Sequence, residues 1–375
     1  MIYFDNAAST HPKPQPVLRE MSGWLQKNAS NAGRSGHRMS MEAAEMIYDT
    51  RVLIGDFFGL NKPENVILVP GATYALNTVI FGLFEKGDHI ITTDLEHNSV
   101  LRPLWHLRKS GVDVTVVSVD FEDDEKTVEK MMRNICSRTK AIVCTQSSNV
   151  CGKILPIKQI AERRPSGVRL IVDGSQGAGT LPINVVEDGI DYYCAPSHKG
   201  LMGPQGGGIL LVNNMPPKPL VLGGTGIEGA NPEQPRQLPE SLESGTLATP
   251  ICAGMKAGIA FIKKMGMEHL YDHKRALTDY AYDELKRLDN LELYMYPYKD
   301  TCIGVIPLNV RGMDSSRVVE YLDRKNIYVR GGIHCSPLFH KRFGTIERGM
   351  VRLSFGCFNS DREVDELVRA LKKIN

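Results

Sequence analysis

Asp191-Tyr192-Tyr193-Cys194-Ala195-Pro196-Ser197-His198-Lys199-Gly200 is an apolar strand that runs straight into a lysine-bearing turn. A glycine-rich stretch with Gly203, Gly206, Gly207 and Gly208 follows, and then a second apolar strand at 209–212. Between Pro196 and Gly208 there is no helical periodicity. Parallel neighbours in a sheet need a crossover of about a dozen residues or more, usually a helix. The strand at 209–212 is therefore expected to run antiparallel to its neighbours.

Upstream, strands and helices alternate. Apolar runs at 66–69, 89–92, 112–119, 141–144 and 169–172 join those at 192–195 and 209–212 to make seven expected strands. Ala75, Leu76, Val79, Ile80 and Leu83 are spaced for one face of a helix, and another helix is expected near 97–110. Near-continuous apolar runs mean strands buried on both faces, which predicts an α/β fold with a mostly parallel sheet covered by helices. Residues 213–248 form a Pro/Gly-rich connector, and a loop this long is usually functional.

Beyond it come helices at roughly 250–265 and 267–289, strands near 291–295 and 303–310, and a helix opened by Asp314. Strands near 327–330 and 350–355 follow, and Ser360-Asp361-Arg362-Glu363 reads as a capping box for the last helix. The expected division is an N-terminal arm (1–15), a large domain (16–248) and a smaller C-terminal α+β domain (249–375). The first helix, with Val17, Leu18, Met21, Trp24 and Leu25 on one face, fits against either domain.

With 375 residues the chain exceeds one ordinary core. Its apolar content of 42% and charged content of 23% are those of a globular protein. A net charge of +2 gives no reason to expect nucleic acid or an anionic membrane surface as a partner. No run is apolar for long enough to span a bilayer. The start of the chain lacks the basic and apolar regions of a signal peptide, so a cytoplasmic location is expected. The eight cysteines include no Cys-x-x-Cys pair, so no metal site is expected and most should be free thiols.

The chemistry clusters where strands end. Asp173-Gly174-Ser175-Gln176 closes the strand at 169–172. A lysine after one strand and an aspartate at the end of its neighbour suggest a pyridoxal phosphate site. The lysine binds the cofactor covalently and the aspartate holds its ring nitrogen protonated. Gly71-Ala72-Thr73 opens a helix whose free amides and hydroxyl suit a phosphate. His97 either covers the ring face or simply caps a helix. Asn149 and Gln176 either contact the ring oxygen or serve, respectively, as an Asx-turn and a solvent-facing side chain. All of these fall at the C-terminal edge of the strands, where ligands gather in open α/β sheets. A second cluster is Arg330-Gly331-Gly332-Ile333-His334-Cys335, followed by Arg352. Cys335 is either a low-pKa nucleophile or a buried structural thiol. Arg330 and Arg352 either grip a substrate carboxylate or form surface ion pairs.

Together these residues resemble the class V, fold-type I pyridoxal phosphate enzymes, specifically the cysteine desulfurase and selenocysteine lyase family, and its group II branch most closely. The ordered series is Tyr3-Phe4-Asp5-Asn6-Ala7-Ala8-Ser9, Asn31-Ala32-Gly33-Arg34-Ser35-Gly36-His37, Gly71-Ala72-Thr73, Glu96-His97-Asn98, Ser148-Asn149, Asp173-Gly174-Ser175-Gln176, His198-Lys199, Glu243-Ser244-Gly245-Thr246 and Arg330 to Cys335.

The resemblance implies that Lys199 carries the cofactor and moves protons at Cα, that Asp173 pairs with the pyridine nitrogen, and that His97 stacks on the ring. It places Thr73 and His198 at the phosphate, helped by Thr246 from the partner subunit of a homodimer; Ala72 at the helix start is expected there too, and Ser197 is the candidate to compensate for the hydroxyl lost at Pro196. Asn149 and Gln176 go to the ring oxygen side, and Asn149 also to the substrate. Arg352 and Arg330 hold the substrate carboxylate. Cys335 takes sulfur from L-cysteine as a persulfide, releasing alanine, for delivery to a protein acceptor. The alternative on the same scaffold is selenocysteine lyase, carbon–sulfur lyase, epimerase or aminotransferase chemistry. The chain departs from the family pattern at Pro196, where a phosphate hydroxyl is usual, at Tyr74, at Ala248 and at Ile333.

Overall fold

The computed structural model describes all residues except Ala29, Arg34, 296–300 and Asn375. Arg34, part of the motif at 31–37, therefore lies outside the described residues.

The chain opens with a short strand, β1 (Ile2–Tyr3), and two helices, α1 (Gln15–Lys27) and α2 (Arg38–Phe58). Seven strands then build the main sheet: β2 (Val66–Val69), β3 (His89–Thr93), β4 (Asp113–Val117), β5 (Thr139–Thr145), β6 (Arg169–Asp173), β7 (Tyr192–Pro196) and β8 (Gly208–Val212). Their order is β2-β8-β7-β6-β5-β3-β4. The pairs from β4 through β7 are parallel, and β8 is antiparallel to both β7 and β2. That is the consequence of the helix-free turn at 197–207. Strands β2, β3, β6, β7 and β8 are almost wholly buried, whereas edge strand β4 is largely open. Helices α3 (Ala72–Leu83) and α4 (Asn98–Lys109) pack Leu76, Val79, Val100 and Leu104 on one face of the sheet with Ile67, Val143 and Ile171. On the other face Ile54 and Phe58 of α2 join Ile142, Val172 and Ile209.

Helices α5 (Asp124–Arg133) and α6 (Ile157–Arg163) complete the large-sheet region, and α7 (Thr249–Met265) and α8 (Met267–Leu285) follow the connector. Cys252, Met255 and Ile259 place α7 in the core of the large sheet, although its residues were expected in the small domain. A Cβ on Gly258 of α7 would stand 2.4 Å from the carbonyl of Leu201, so this helix presses directly on the lysine-bearing turn. Helix α1 packs on α7, with Met21 against Gly254. Of its apolar face only Val17 is buried; Leu18 and Leu25 stay 48% and 60% exposed.

Four antiparallel strands make the second sheet: β9 (Leu291–Leu293), β10 (Val305–Val310), β12 (Arg330–Gly332) and β13 (Met350–Ser354), in the order β12-β13-β10-β9. The strand expected at 327–330 is two. Its first half, β11 (Ile327–Tyr328), pairs in parallel with β1, and its second half belongs to β12 and pairs with β13. The division arises because the chain passes from one edge partner to another at Val329. Phe4 stacks edge-on against Phe355 at 5.1 Å, so the arm is stitched into the small-domain core. The capping box at Ser360 and Glu363 is formed. Among the described residues no helix is long and apolar enough to cross a membrane, and no cluster of His, Cys, Asp or Glu suits a metal ion.

Candidate active site

Five strands that run in the same direction, β2, β3, β5, β6 and β7, end at one edge of the sheet. There they deliver Ala72, Thr73, His97, Asn149, Asp173, Gln176, His198 and Lys199 to a single cavity of about 750 Å³. The turn after β7 is held by Met202 N donating to Lys199 O at 2.9 Å and Gly203 N to Ser197 O at 2.8 Å. Gly200 is required there, since a Cβ would meet the carbonyl of Ala178 at 2.1 Å.

Burial is the main influence on the Lys199 amine and lowers it to about 8; Asp173 opposes the change, while Arg352 and Arg330 reinforce it. Asp173 is 2% exposed at the end of β6, and one carboxylate oxygen accepts from Ser175 N at 2.9 Å. Burial likewise pushes His97 down to about 4, against the pull of Asp173. His97 is also the N-cap of α4: its Nδ1 accepts from Ser99 N at 3.0 Å, which leaves the ring proton on Nε2. Cap and cavity wall are thus the same residue.

At the start of α3, Ala75 N is the first amide with an intrahelical acceptor, Gly71 O at 3.2 Å, so the amides before it have no partner within the helix. The Thr73 hydroxyl lies 2.7 Å from the Ser99 hydroxyl, which is itself 2.9 Å from His97 Nδ1. Burial lowers His198 to about 4, and its Nδ1 is buried with no hydrogen-bond partner.

Several expected residues sit elsewhere. Ser197 is a correction: its side chain is fully buried and its hydroxyl donates to Pro204 O, inside the glycine turn and away from the cavity. An interior carbonyl without another donor claims the hydroxyl, so it cannot replace the group lost at Pro196. Thr246 is exposed, accepts from Asn31 Nδ2 at 3.2 Å, and does not line this cavity. Arg352 is 1% exposed. Its guanidinium donates to Asp5 at 2.5 Å and to Asn149 O at 2.9 Å, and its Nε is buried without a partner. Arg330 stands directly opposite it across the β12–β13 pair. Both arginines are close enough to Lys199 to depress its amine, but neither lines the cavity.

Asn149 has both ends of its amide engaged: Nδ2 donates to His334 O at 2.7 Å, and Oδ1 accepts from the Ser336 hydroxyl at 2.7 Å. It therefore grips the residues on either side of Cys335. Asn98 N holds Cys335 O at 2.7 Å. His334 and Cys335 adopt positive φ of 54° and 58°, two consecutive left-handed non-glycine residues. Cys335 is half-buried and forms no disulfide. Its cavity is a neighbouring one of about 410 Å³.

Two contributors were given no role in the sequence analysis. Ser99 links Thr73 to His97. Glu96 is fully buried, accepts from Thr93 Oγ1 at 2.6 Å and Thr145 N at 3.0 Å, and leaves Oε2 without a partner. Burial pushes its carboxyl up to about 8. The signal for Glu96 was an acidic residue inside an otherwise buried strand-to-helix turn.

One buried amine, one buried carboxylate facing the same space, a helix N-terminus with a hydroxyl, and an unpartnered imidazole nitrogen fit pyridoxal phosphate. Sheet order, antiparallel β8 and this cavity define a fold-type I pyridoxal phosphate enzyme. The chain belongs to the aminotransferase class-V family, whose model matches residues 2–367. It is 31% identical over 389 residues, all of this chain and 94% of the relative, to a protein of Pyrococcus abyssi named probable cysteine desulfurase. A protein of that name in Methanothermobacter thermautotrophicus is 29% identical over 382 residues, covering 100% of this chain and 94% of that one. The apo structure of cysteine desulfurase from Thermococcus onnurineus superposes with a TM-score of 0.92 at 30% identity, covering 99% of this chain and 94% of that one.

Proposed function

We propose that the chain is a cysteine desulfurase that moves sulfur from L-cysteine to Cys335 and releases L-alanine. The observation that carries the reading is the pairing of the Lys199–Asp173 cavity with a thiol in the adjoining cavity, whose loop is gripped by a residue of the first cavity, Asn149. Bound pyridoxal phosphate supplies an electron sink for the bonds around Cα.

The protein's own groups do the rest. The first-turn amides of α3, Thr73 and His198 would hold the phosphate. Asp173 would keep the ring nitrogen protonated, and His97 would cover the ring face with Nε2 carrying its proton. Lys199, with its amine lowered to about 8, is suited to carry protons to and from Cα near neutral pH. Arg330 and Arg352 would hold the substrate carboxylate, the substrate competing with Asp5 for the Arg352 guanidinium. The Cys335 thiolate attacks the substrate sulfur. The carbon–sulfur bond breaks, its electron pair stays with carbon and takes up a proton, and the products are alanine and a Cys335 persulfide.

A homodimer is part of the reading. Asn31 and Thr246 of the two motifs meet beside a separate cavity of about 330 Å³, and neither lines their own chain's Lys199 cavity. Such a placement suits completion of a partner's site.

The test is the protein loaded with cofactor and given L-cysteine, with alanine and enzyme persulfide quantified. Cys335→Ala is expected to keep the visible absorbance of bound cofactor and form no persulfide. Persulfide at the wild-type rate in that variant would refute the role of Cys335. Lys199→Ala is expected to lose the borohydride-trapped adduct.

A further inference from the structure

Cys335 shares its cavity of about 410 Å³ with Arg102, Pro103 and His106 of α4. This cavity and the larger one meet along Thr73, Asn77, His97 and Ser99, which line both. Cys335 itself lines only the second of the two, so a sulfur it carries is presented there.

The second cavity has a distinct chemistry. Arg102 and His106 lie one helical turn apart and are exposed. Among the described residues Arg102 has no ion pair or hydrogen bond, although its charge reaches His97. His106 rests edge-on against Phe81 at 5.6 Å. Among the described residues no aspartate or glutamate lines the cavity. The volume is that of a small-ligand site, within the range of about 300–1,000 Å³. The Cys335 loop is also tied down, by Asn98, Asn149 and Ser336.

We propose that this cleft receives the sulfur acceptor, and that the acceptor is a small thiolate bearing a carboxylate, which Arg102 recognises. The proposal rests on the desulfurase reading. The acceptor thiolate attacks the outer sulfur of the Cys335 persulfide. A sulfur–sulfur bond forms to the acceptor, the one to Cys335 breaks, and its electron pair leaves with Cys335 as thiolate. The acceptor departs as a persulfide, and no oxidant or reductant is consumed.

The experiment uses cofactor-loaded enzyme given one equivalent of L-cysteine. The alanine burst is measured first, and then transfer to mercaptoacetate, 2-mercaptoethanol and cysteamine at equal thiolate concentration, each rate divided by that thiol's rate with a small-molecule disulfide to remove its intrinsic nucleophilicity. Each rate is also divided by the persulfide formed in that variant. In the wild type mercaptoacetate is expected to lead by about fivefold, the scale of one partly exposed charge contact, with cysteamine slowest. Arg102→Gln should abolish that lead, Arg102→Glu should invert it, and added salt should erode it. Rates independent of acceptor charge in the wild type, or a mercaptoacetate lead surviving in Arg102→Glu, would overturn the proposal. So would transfer confined to a cysteine of a partner protein. Absence of the alanine burst would overturn the desulfurase reading itself, and would show before any acceptor is added.

Discussion

Glu96 holds the turn that carries His97, and it does so as a buried carboxyl with one oxygen unpartnered. Its folded-state pKa is raised to about 8 by burial. The folded protein therefore binds a proton that the unfolded chain releases near the ordinary carboxyl value. That contribution is complete below the unfolded pKa and is lost as pH rises through about 8. Glu96→Gln keeps an acceptor for Thr93 and Thr145 without the titration. Its melting temperature relative to the wild type should climb between pH 5 and about pH 8 and level off above, and a pH-independent difference would show that Glu96 does not titrate in this range. Lys199 and Asp173 were legible at this scale, because a strand end dictates where the next side chain goes. Ser197 was not, because which acceptor a hydroxyl finds depends on a carbonyl brought back by the glycine turn.

The Cys335 loop is held by hydrogen bonds between elements distant in sequence. Ser336→Ala removes the donor to Asn149 and leaves a buried amide oxygen unsatisfied, at a cost of about 1–3 kcal/mol. Persulfide formation should slow severalfold while the cofactor absorbance is unchanged, and iodoacetamide should alkylate Cys335 faster than in the wild type. Unchanged alkylation would mean that Ser336 does not restrain the loop.

A second brace is the pair of Arg51 on α2 with Glu243, whose side chains are 7% and 5% exposed and meet at 2.5 Å. Glu243 also accepts from Leu68 N at 2.6 Å, which ties the loop leading to Thr246 onto β2. Glu243→Gln strands a buried guanidinium and should cost about 3–5 kcal/mol, read as a lower denaturation midpoint. The capping box and antiparallel β8 could be read from local sequence. These two braces could not, since neither partner signals the other along the chain.

In the whole molecule, sites formed across subunits are the remaining test. If Thr246 serves the partner's phosphate, Thr246→Val should weaken cofactor binding by about tenfold to a hundredfold, the value of one hydrogen bond to a charged group. The protein should sediment as a dimer, with Leu18 and Leu25, both well exposed in the single chain, as candidates for coverage. Mixing Lys199→Ala with Thr246→Val subunits should then restore one full-affinity site per heterodimer. That site pairs the Lys199 of one chain with the intact Thr246 of the other. Affinity in the mixture that stays at the Thr246→Val level would place Thr246 outside the partner's site.

The seven strands, the orientation of β8 and the gathering of Lys199, Asp173, Thr73 and His97 at one sheet edge were set by the sequence alone. They follow from short-range facts: apolar runs, a glycine turn too irregular for a helix, and side chains that directly follow strand ends. Tertiary structure decided what each polar group faces. It engaged Asn149 with the Cys335 loop, put Asp5 on Arg352, turned Ser197 inward and left Cys335 beside Arg102. Buried polar groups must find partners, and those partners come from segments whose proximity only the packed fold creates.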